Sequence, residues 1–228
     1  MGTREDSEDV QARLFKAIEE GDLDEVRELL EIDPRLASAH NSDGASALIW
    51  AAYYRQAAIV ELLMDRPPQP DVFEASALNL NDRLKVLLRS DRGLVDSYSF
   101  DGWTPLHLAA HFGSLDAIRT LLSNGASHRA VSHNSNGNQP LQAAAAGRQG
   151  EAVGLLLEVG ADVDAPSEGG FTALHSAAAS GDVGLTRRLL EAGARVDVEA
   201  QGGKTPMELA IEADHAEIVD MLEAAGPS

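Results

Sequence analysis

The chain has 228 residues, of which 44 % are hydrophobic but only 4 % aromatic, and its formal charge at pH 7 is −19. So strong an excess of carboxylates disfavours nucleic acid and anionic membrane as partners. The absence of cysteine excludes disulfides, thiolate metal sites and cysteine nucleophiles. The first twenty residues carry no apolar signal-type segment, and no apolar run approaches the eighteen residues of a membrane span. A cytoplasmic protein is expected.

Residues 1–8 are expected to form a disordered tail. LFKAIEEGDLDEVRELL (14–30) then supplies two helices around a glycine with no turn signal before them, as a terminal cap would. NSDGASALIW (41–50) is the first of a series of glycine-centred turns leading into a helix. VFEASALNLNDRLKVLL (72–88) has two helices but no such turn, and Pro67, Pro68 and Pro70 stand just before it. That irregularity is expected to bend the array locally.

From residue 99 the pattern becomes regular: SFDGWTPLHL, NSNGNQPLQA, EGGFTALHSA and QGGKTPMELA. The turn glycines fall at 44, 102, 137, 170 and 203, so the last three intervals are 35, 33 and 33 residues. The first gap, 58 residues, holds two shortened units. A period of this size means stacked modules with function on a surface that several of them share.

Residues 99–131 show the physics of one unit. Asp101-Gly102 predicts a two-residue hairpin turn of the primed type, with glycine supplying positive φ. Thr104 stands where a helix N-cap belongs and Pro105 at the first helical position, which tolerates proline. Leu106, Ala109 and Ala110 follow at helical spacing, and the small alanines permit close helix approach. Gly113 ends this helix. A second, starting near Ser114, presents Ile118, Leu121 and Leu122 to the core and stops at Gly125.

DGWTPLHLAAHFGSLDAIRTLLSNGA, GGFTALHSAAASGDVGLTRRLLEAGARVD and GGKTPMELAIEADHAEIVDMLEAAG, with the weaker NGNQPLQAAAAGRQGEAVGLLLEVGADVD, together resemble ankyrin repeats. The resemblance covers about 9–226. It implies an all-α repeat solenoid of about seven helix-turn-helix units with short β-hairpin loops, curved around a concave groove. The units are expected at 9–41 (a cap), 42–71, 72–98 (degenerate), 99–133, 134–166, 167–199 and 200–226 (a cap).

Ankyrin proteins usually meet partners with the hairpin tips and first helices. Carried onto this chain, the resemblance implies Tyr53, Tyr54, Leu78, Asp101, Trp103, His111, Phe112, Asn136, Asn138 and Phe171 as partner-binding residues. Five of the chain's ten aromatic residues fall in this set, which points to an aromatic binding strip. The competing reading is that the rings cover gaps between irregular units.

Other motifs explain themselves structurally. Gly202-Gly203-Lys204-Thr205 resembles the end of a phosphate loop, but Val198 stands where the leading glycine is needed and Pro206 follows. His107 and His175 belong to the repeat motif, where the imidazole links neighbouring turns. No metal-ligand spacing and no nucleophile–base constellation is found, so neither cofactor, metal nor catalysis is expected.

Acidity concentrates at both ends: residues 1–33 hold twelve acidic and four basic side chains, and 182–228 hold ten and four. Solvated caps account for this, as does a basic partner. The reading is a monomeric, non-enzymatic protein-binding module; the alternative is a dedicated inhibitor or immunity-type regulator of a basic enzyme or toxin.

Overall fold

The computed structural model describes residues 4–67 and 69–226, with side chains from residue 9 onward. Fourteen α-helices occur in the described residues and follow one another in pairs. They are α1 (Arg4–Glu20) with α2 (Leu23–Ile32), α3 (Ala47–Tyr53) with α4 (Ala57–Met64), and α5 (Val72–Ala77) with α6 (Asn81–Ser90). Then come α7 (Pro105–Phe112) with α8 (Leu115–Ser123), and α9 (Pro140–Ala146) with α10 (Gly150–Glu158). The last are α11 (Ala173–Ser180) with α12 (Val183–Glu191), and α13 (Pro206–Glu212) with α14 (Ala216–Ala225). Short 3₁₀ turns at Pro34–Ser38 and Arg92–Asp96 follow α2 and α6. Helix α1 reaches back to Arg4, inside the stretch expected as a tail, and residues 1–3 lie outside the described residues. So does Pro68.

The helices start and stop where local chemistry dictates. Thr104 caps α7 by accepting the His107 N–H, and Gly113 ends that helix in the left-handed conformation at φ 69°. A capping box in which the third helical residue answers the N-cap recurs at Asp71/Glu74, Thr104/His107, Gln139/Gln142, Thr172/His175 and Thr205/Glu208. Gly125 follows α8 at φ 93°, and the Ala126 N–H bonds back to the Leu121 carbonyl at 3.0 Å. That closes the helix end in a Schellman pattern.

The turn at 99–103 differs from its expected form. Positive φ occurs at Gly102 but not at Asp101. The Gly102 N–H bonds to the Ser99 carbonyl and the Ser99 N–H to the Trp103 carbonyl. This is a three-residue connection ending in a left-handed glycine, not a two-residue primed turn. Glycine is needed at 102 on a second count as well: a Cβ there would stand 2.8 Å from the Asn134 nitrogen of the next unit. In the described residues the hairpin loops carry only isolated bridges, His40–Ser46 and Ala200–Lys204.

Burial divides into two principal cores. One runs from Val72 to Leu222 through Leu84, Leu106, Leu121, Leu156 and Leu174. The other runs from Leu14 to Leu63 through Leu30 and Ile59. A small third cluster, Ala45, Ile49, Ala77 and Leu108, sits where they meet. Ala109, Ala110, Ala143, Ala144, Ala145, Ala177 and Ala178 are all fully buried, consistent with first helices packed closely on one another.

Candidate functional site

From residue 99 onward the tips are tied to each other by backbone hydrogen bonds. The His133 N–H donates to the Gly102 carbonyl at 2.8 Å, Glu168 to Asn136 at 3.0 Å, and Gln201 to Gly169 at 2.7 Å. Behind them the motif histidines cross between units. His107 Nε2 donates to the Asn138 carbonyl at 2.9 Å while Nδ1 faces the Thr104 N–H and hydroxyl at 3.3 and 2.7 Å. His175 repeats this with Thr172 and the Lys204 carbonyl at 3.0 Å. A carbonyl can only accept, so Nε2 carries the proton and Nδ1 is left as the acceptor. Burial pushes the His107 pKa down to about 4, against a smaller opposing effect of the Asn138 carbonyl. Both imidazoles are therefore structural links, as the repeat motif implies. Gln142 does the same work without a titrating group, donating to the Ala165 and Phe171 carbonyls at 2.7 and 3.2 Å.

The candidate partner-binding residues separate into two groups. Asn136, Asn138 and Phe171 share a groove of about 670 Å³ between the tips and the first helices α9 and α11, along with Gln142, Glu168 and Gln201. Phe171 is 38 % exposed there. Asn138, expected at an open tip, is only 8 % exposed. Its Oδ1 accepts from the Ser132 hydroxyl at 2.8 Å and its N–H donates to that oxygen at 3.0 Å. Turn closure consumes this side chain and leaves little of it for a partner. Asn136 is exposed, with its carbonyl already in the tip ladder.

The remaining residues gather at the irregular unit. Tyr53 meets Phe112 at a ring separation of 4.8 Å and His111 at 5.2 Å, and His111 meets Trp103 at 5.4 Å. Tyr53, Trp103 and Phe112 all pack against the small cluster that contains Ala77. Helix α5 is only six residues long and ends at Ala77, with Leu78 as its C-cap, where the neighbouring units have Tyr53-Tyr54 and His111-Phe112. The flanking rings close over it. Burial, helped by the Asp101 charge, raises the Tyr53 hydroxyl to about 12. Burial also lowers His111, whose Nδ1 has no hydrogen-bond partner among the described residues. Leu78 lines a neighbouring groove of about 590 Å³ with Phe112. Asp101 accepts from the Ser99 hydroxyl within its own turn.

A single aromatic strip is thus absent from the described surface: Phe171 pairs with His175, 5.5 Å away, while the other rings cluster at the seam. Sequence reasoning overlooked Trp50, which joins Phe15 at 6.3 Å, Tyr54 at 5.3 Å and Tyr53 at 6.4 Å. Its spacing of three residues from Tyr53 on one helix was the available signal. Phe100, 84 % exposed, was overlooked too. Its ring lies against Gly44, where a side chain would collide with it. With no hairpin in the unit between them, the tips of units two apart become neighbours.

Among the described residues no helix is long and apolar enough to cross a membrane, and no group of three or more His, Cys, Asp or Glu side chains is placed to hold a metal ion. A family model described as ankyrin repeats (3 copies) matches residues 72–167 and 164–227. The chain is 32 % identical over 196 residues to the mouse (Mus musculus) B-cell lymphoma 3 protein homolog, covering 79 % of this chain and 43 % of that protein. It is 34 % identical over 121 residues to rat (Rattus norvegicus) ankyrin repeat and SAM domain-containing protein 6, covering 53 % and 11 %. It is 25 % identical over 171 residues to a Saccharomyces cerevisiae protein named "Probable 26S proteasome regulatory subunit p28", covering 75 % and 65 %. The chain therefore spans less than two thirds of each of these relatives. The matched family, the paired helices and the cross-unit histidine links agree: the chain belongs to the ankyrin repeat family.

Proposed function

We propose that this chain is a non-enzymatic protein-binding module that takes its partner in the groove between the hairpin tips and the first helices of residues 134–204. The observation that carries this is the juxtaposition there of an exposed aromatic, Phe171, with amide and hydroxyl groups on a backbone already tied across three units. A surface so held loses little conformational entropy on binding. Phe171 is the anchor in this reading, with Asn136 and Gln201 setting register. Tyr53, Trp103, His111 and Phe112 serve mainly to close the seam, and Tyr54, Leu78 and Asp101 contribute at its edge. The charge of −19 favours a basic partner, met by a monomer in the cytoplasm. It equally favours a second reading, a dedicated inhibitor of a basic enzyme or toxin, which predicts loss of the target's activity on binding.

A photo-crosslinking residue at position 171 should capture the same partner as one at 136. One at Val159, at the end of a second helix, should capture none. Phe171→Ala should weaken that complex by about 2 kcal/mol or more. Equal capture from position 159 would defeat the assignment of the groove.

A further inference from the structure

Among the described residues no hairpin precedes the first helix pair, and none lies beside the tip at 41–45 on its N-terminal side. The space is a pocket of about 620 Å³ between α1 and that tip, lined by Phe15, Glu19, Asp43 and Trp50 among others. Its walls are bonded to one another. Phe15 and Trp50 meet edge to face, with ring centroids 6.3 Å apart and planes at 73°. The Trp50 Nε1–H donates to Glu19 Oε1 at 3.2 Å. The Gln11 amide donates to the His40 carbonyl and ties α1 to the start of the tip.

The carboxylates of this pocket keep oxygens that the fold does not use. In the turn at 99–103 the tip acid Asp101 accepts from Ser99. At 41–45 Asn41 stands where Ser99 does and closes the turn, its Oδ1 accepting the Asp43 and Ala45 N–H groups at 3.1 and 2.8 Å, and it has no hydroxyl to donate to the tip acid. Asp43 is left with an exposed carboxylate, and Glu19 offers a second oxygen beyond the one held by Trp50. Among the described residues neither acid has an ion-pair partner.

We propose that this pocket receives an arginine side chain from a basic segment of the partner protein. The partly buried Trp50 indole lines the pocket and can attract a cation through its ring quadrupole, and Glu19 and Asp43 line the same pocket with acceptors of the kind a guanidinium bonds. The charge of the first helix pair has the right sign, since residues 9–33 carry nine acids against three bases. The assignment rests on the protein-binding reading above but places a contact outside the 134–204 groove.

The test is a titration of the intact, isotope-labelled protein with N-acetylarginine amide, and separately with the neutral isostere N-acetylcitrulline amide, following the two indole N–H signals. Arginine should move the Trp50 signal saturably and bind at least about fivefold more tightly than citrulline. The Glu19→Gln/Asp43→Asn variant, altered only at exposed positions, should bind arginine about tenfold more weakly with its spectrum otherwise unchanged. Three results would each overturn the proposal: no movement of Trp50, equal binding of both probes, or undiminished arginine binding by the variant. Crosslinking from position 171 is independent of all three, so the pocket and the groove can fail separately.

Discussion

The regions on either side of residue 70 are built from the same helix pairs yet are held together differently. Beyond residue 99, each tip bonds to the next through the backbone, and His107, Gln142 and His175 reach across behind the tips. Where α5–α6 meets the following unit, polar side chains add to the packing. The Ser114 hydroxyl donates to the Ala77 carbonyl at 2.7 Å, and Asn79 accepts from the Ala117 N–H at 3.0 Å. Between α3–α4 and α5–α6 the bond from the third helical residue is missing, because the third residue of α3 is the apolar Ile49, and the bond that crosses there starts instead from the N-cap Ser46. The third residue of α5 is Glu74, which can only accept when ionised, and the Ser46 hydroxyl of the preceding unit donates to it at 2.7 Å. This seam also holds an open cleft of about 570 Å³, lined by Met64, Gln69 and Leu80 among others, and a smaller one of about 100 Å³ beside Glu74. The difference teaches that period alone does not make an array continuous. Continuity depends on a tip in every unit and a donor at the third helical position.

If the two cores are mechanically distinct, core truncations should be felt locally. Leu30 and Leu156 are both fully buried, one in each core. Leu30→Ala and Leu156→Ala should each cost about 2–5 kcal/mol. Native-state hydrogen exchange should show the first loss in α1–α4 with α9–α14 unaffected, and the second in the later helices. A uniform loss along the chain from Leu30→Ala would erase the division.

Acid should act with opposite sign in the regular array and at the seam. His107 is held neutral at a pKa of about 4 against an ordinary 6.5. The unfolded chain therefore binds the extra proton first. Stability from this group is fully present above pH 6.5 and falls as pH drops toward 4, by roughly 3 kcal/mol. His175 shifts in the same direction, again chiefly through burial. At the seam burial raises Glu74, against the opposing hydrogen bond from Ser46. Its contribution is present at low pH and is lost as pH rises through its folded value. His107→Gln, which imitates Gln142, should keep the cross-unit bond and flatten the acid limb in chemical denaturation. An acid limb unchanged in that variant would remove His107 as its source.

Much of this fold was readable because glycine turns, proline at the first helical position and alanine faces each have one physical meaning. The family and the regular units at 99–226 follow from them. The site was less readable, because a residue's place in the repeat does not say whether its neighbours leave it exposed. Asn138 occupies a tip position but closes its own turn with Ser132. Tyr53 occupies a groove position but reaches Phe112 because a short α5 intervenes. The pocket at Trp50 was invisible for a related reason: it forms between α1 and the tip of the following unit. Such effects depend on pairs of units, and a pattern read one unit at a time does not contain them.

The smallest expected effect bears directly on whether the seam rings serve folding or binding. Tyr53 and Phe112 touch across Ala77, with centroids 4.8 Å apart at an interplanar angle of 51°. A double-mutant cycle with Tyr53→Ala and Phe112→Ala should give a coupling of about 0.5–1.5 kcal/mol in unfolding free energy. Phe171→Ala, at a position 38 % exposed, should change stability by no more than about 0.5 kcal/mol. If the rings close the seam, the two single variants lose stability yet still crosslink their partner through position 171. Zero coupling with lost crosslinking would return Tyr53 and Phe112 to the binding surface. The boundary at residue 70 would then be a feature of recognition, with the aromatic residues gathered there to meet a partner and the irregular α5 present to make room for it.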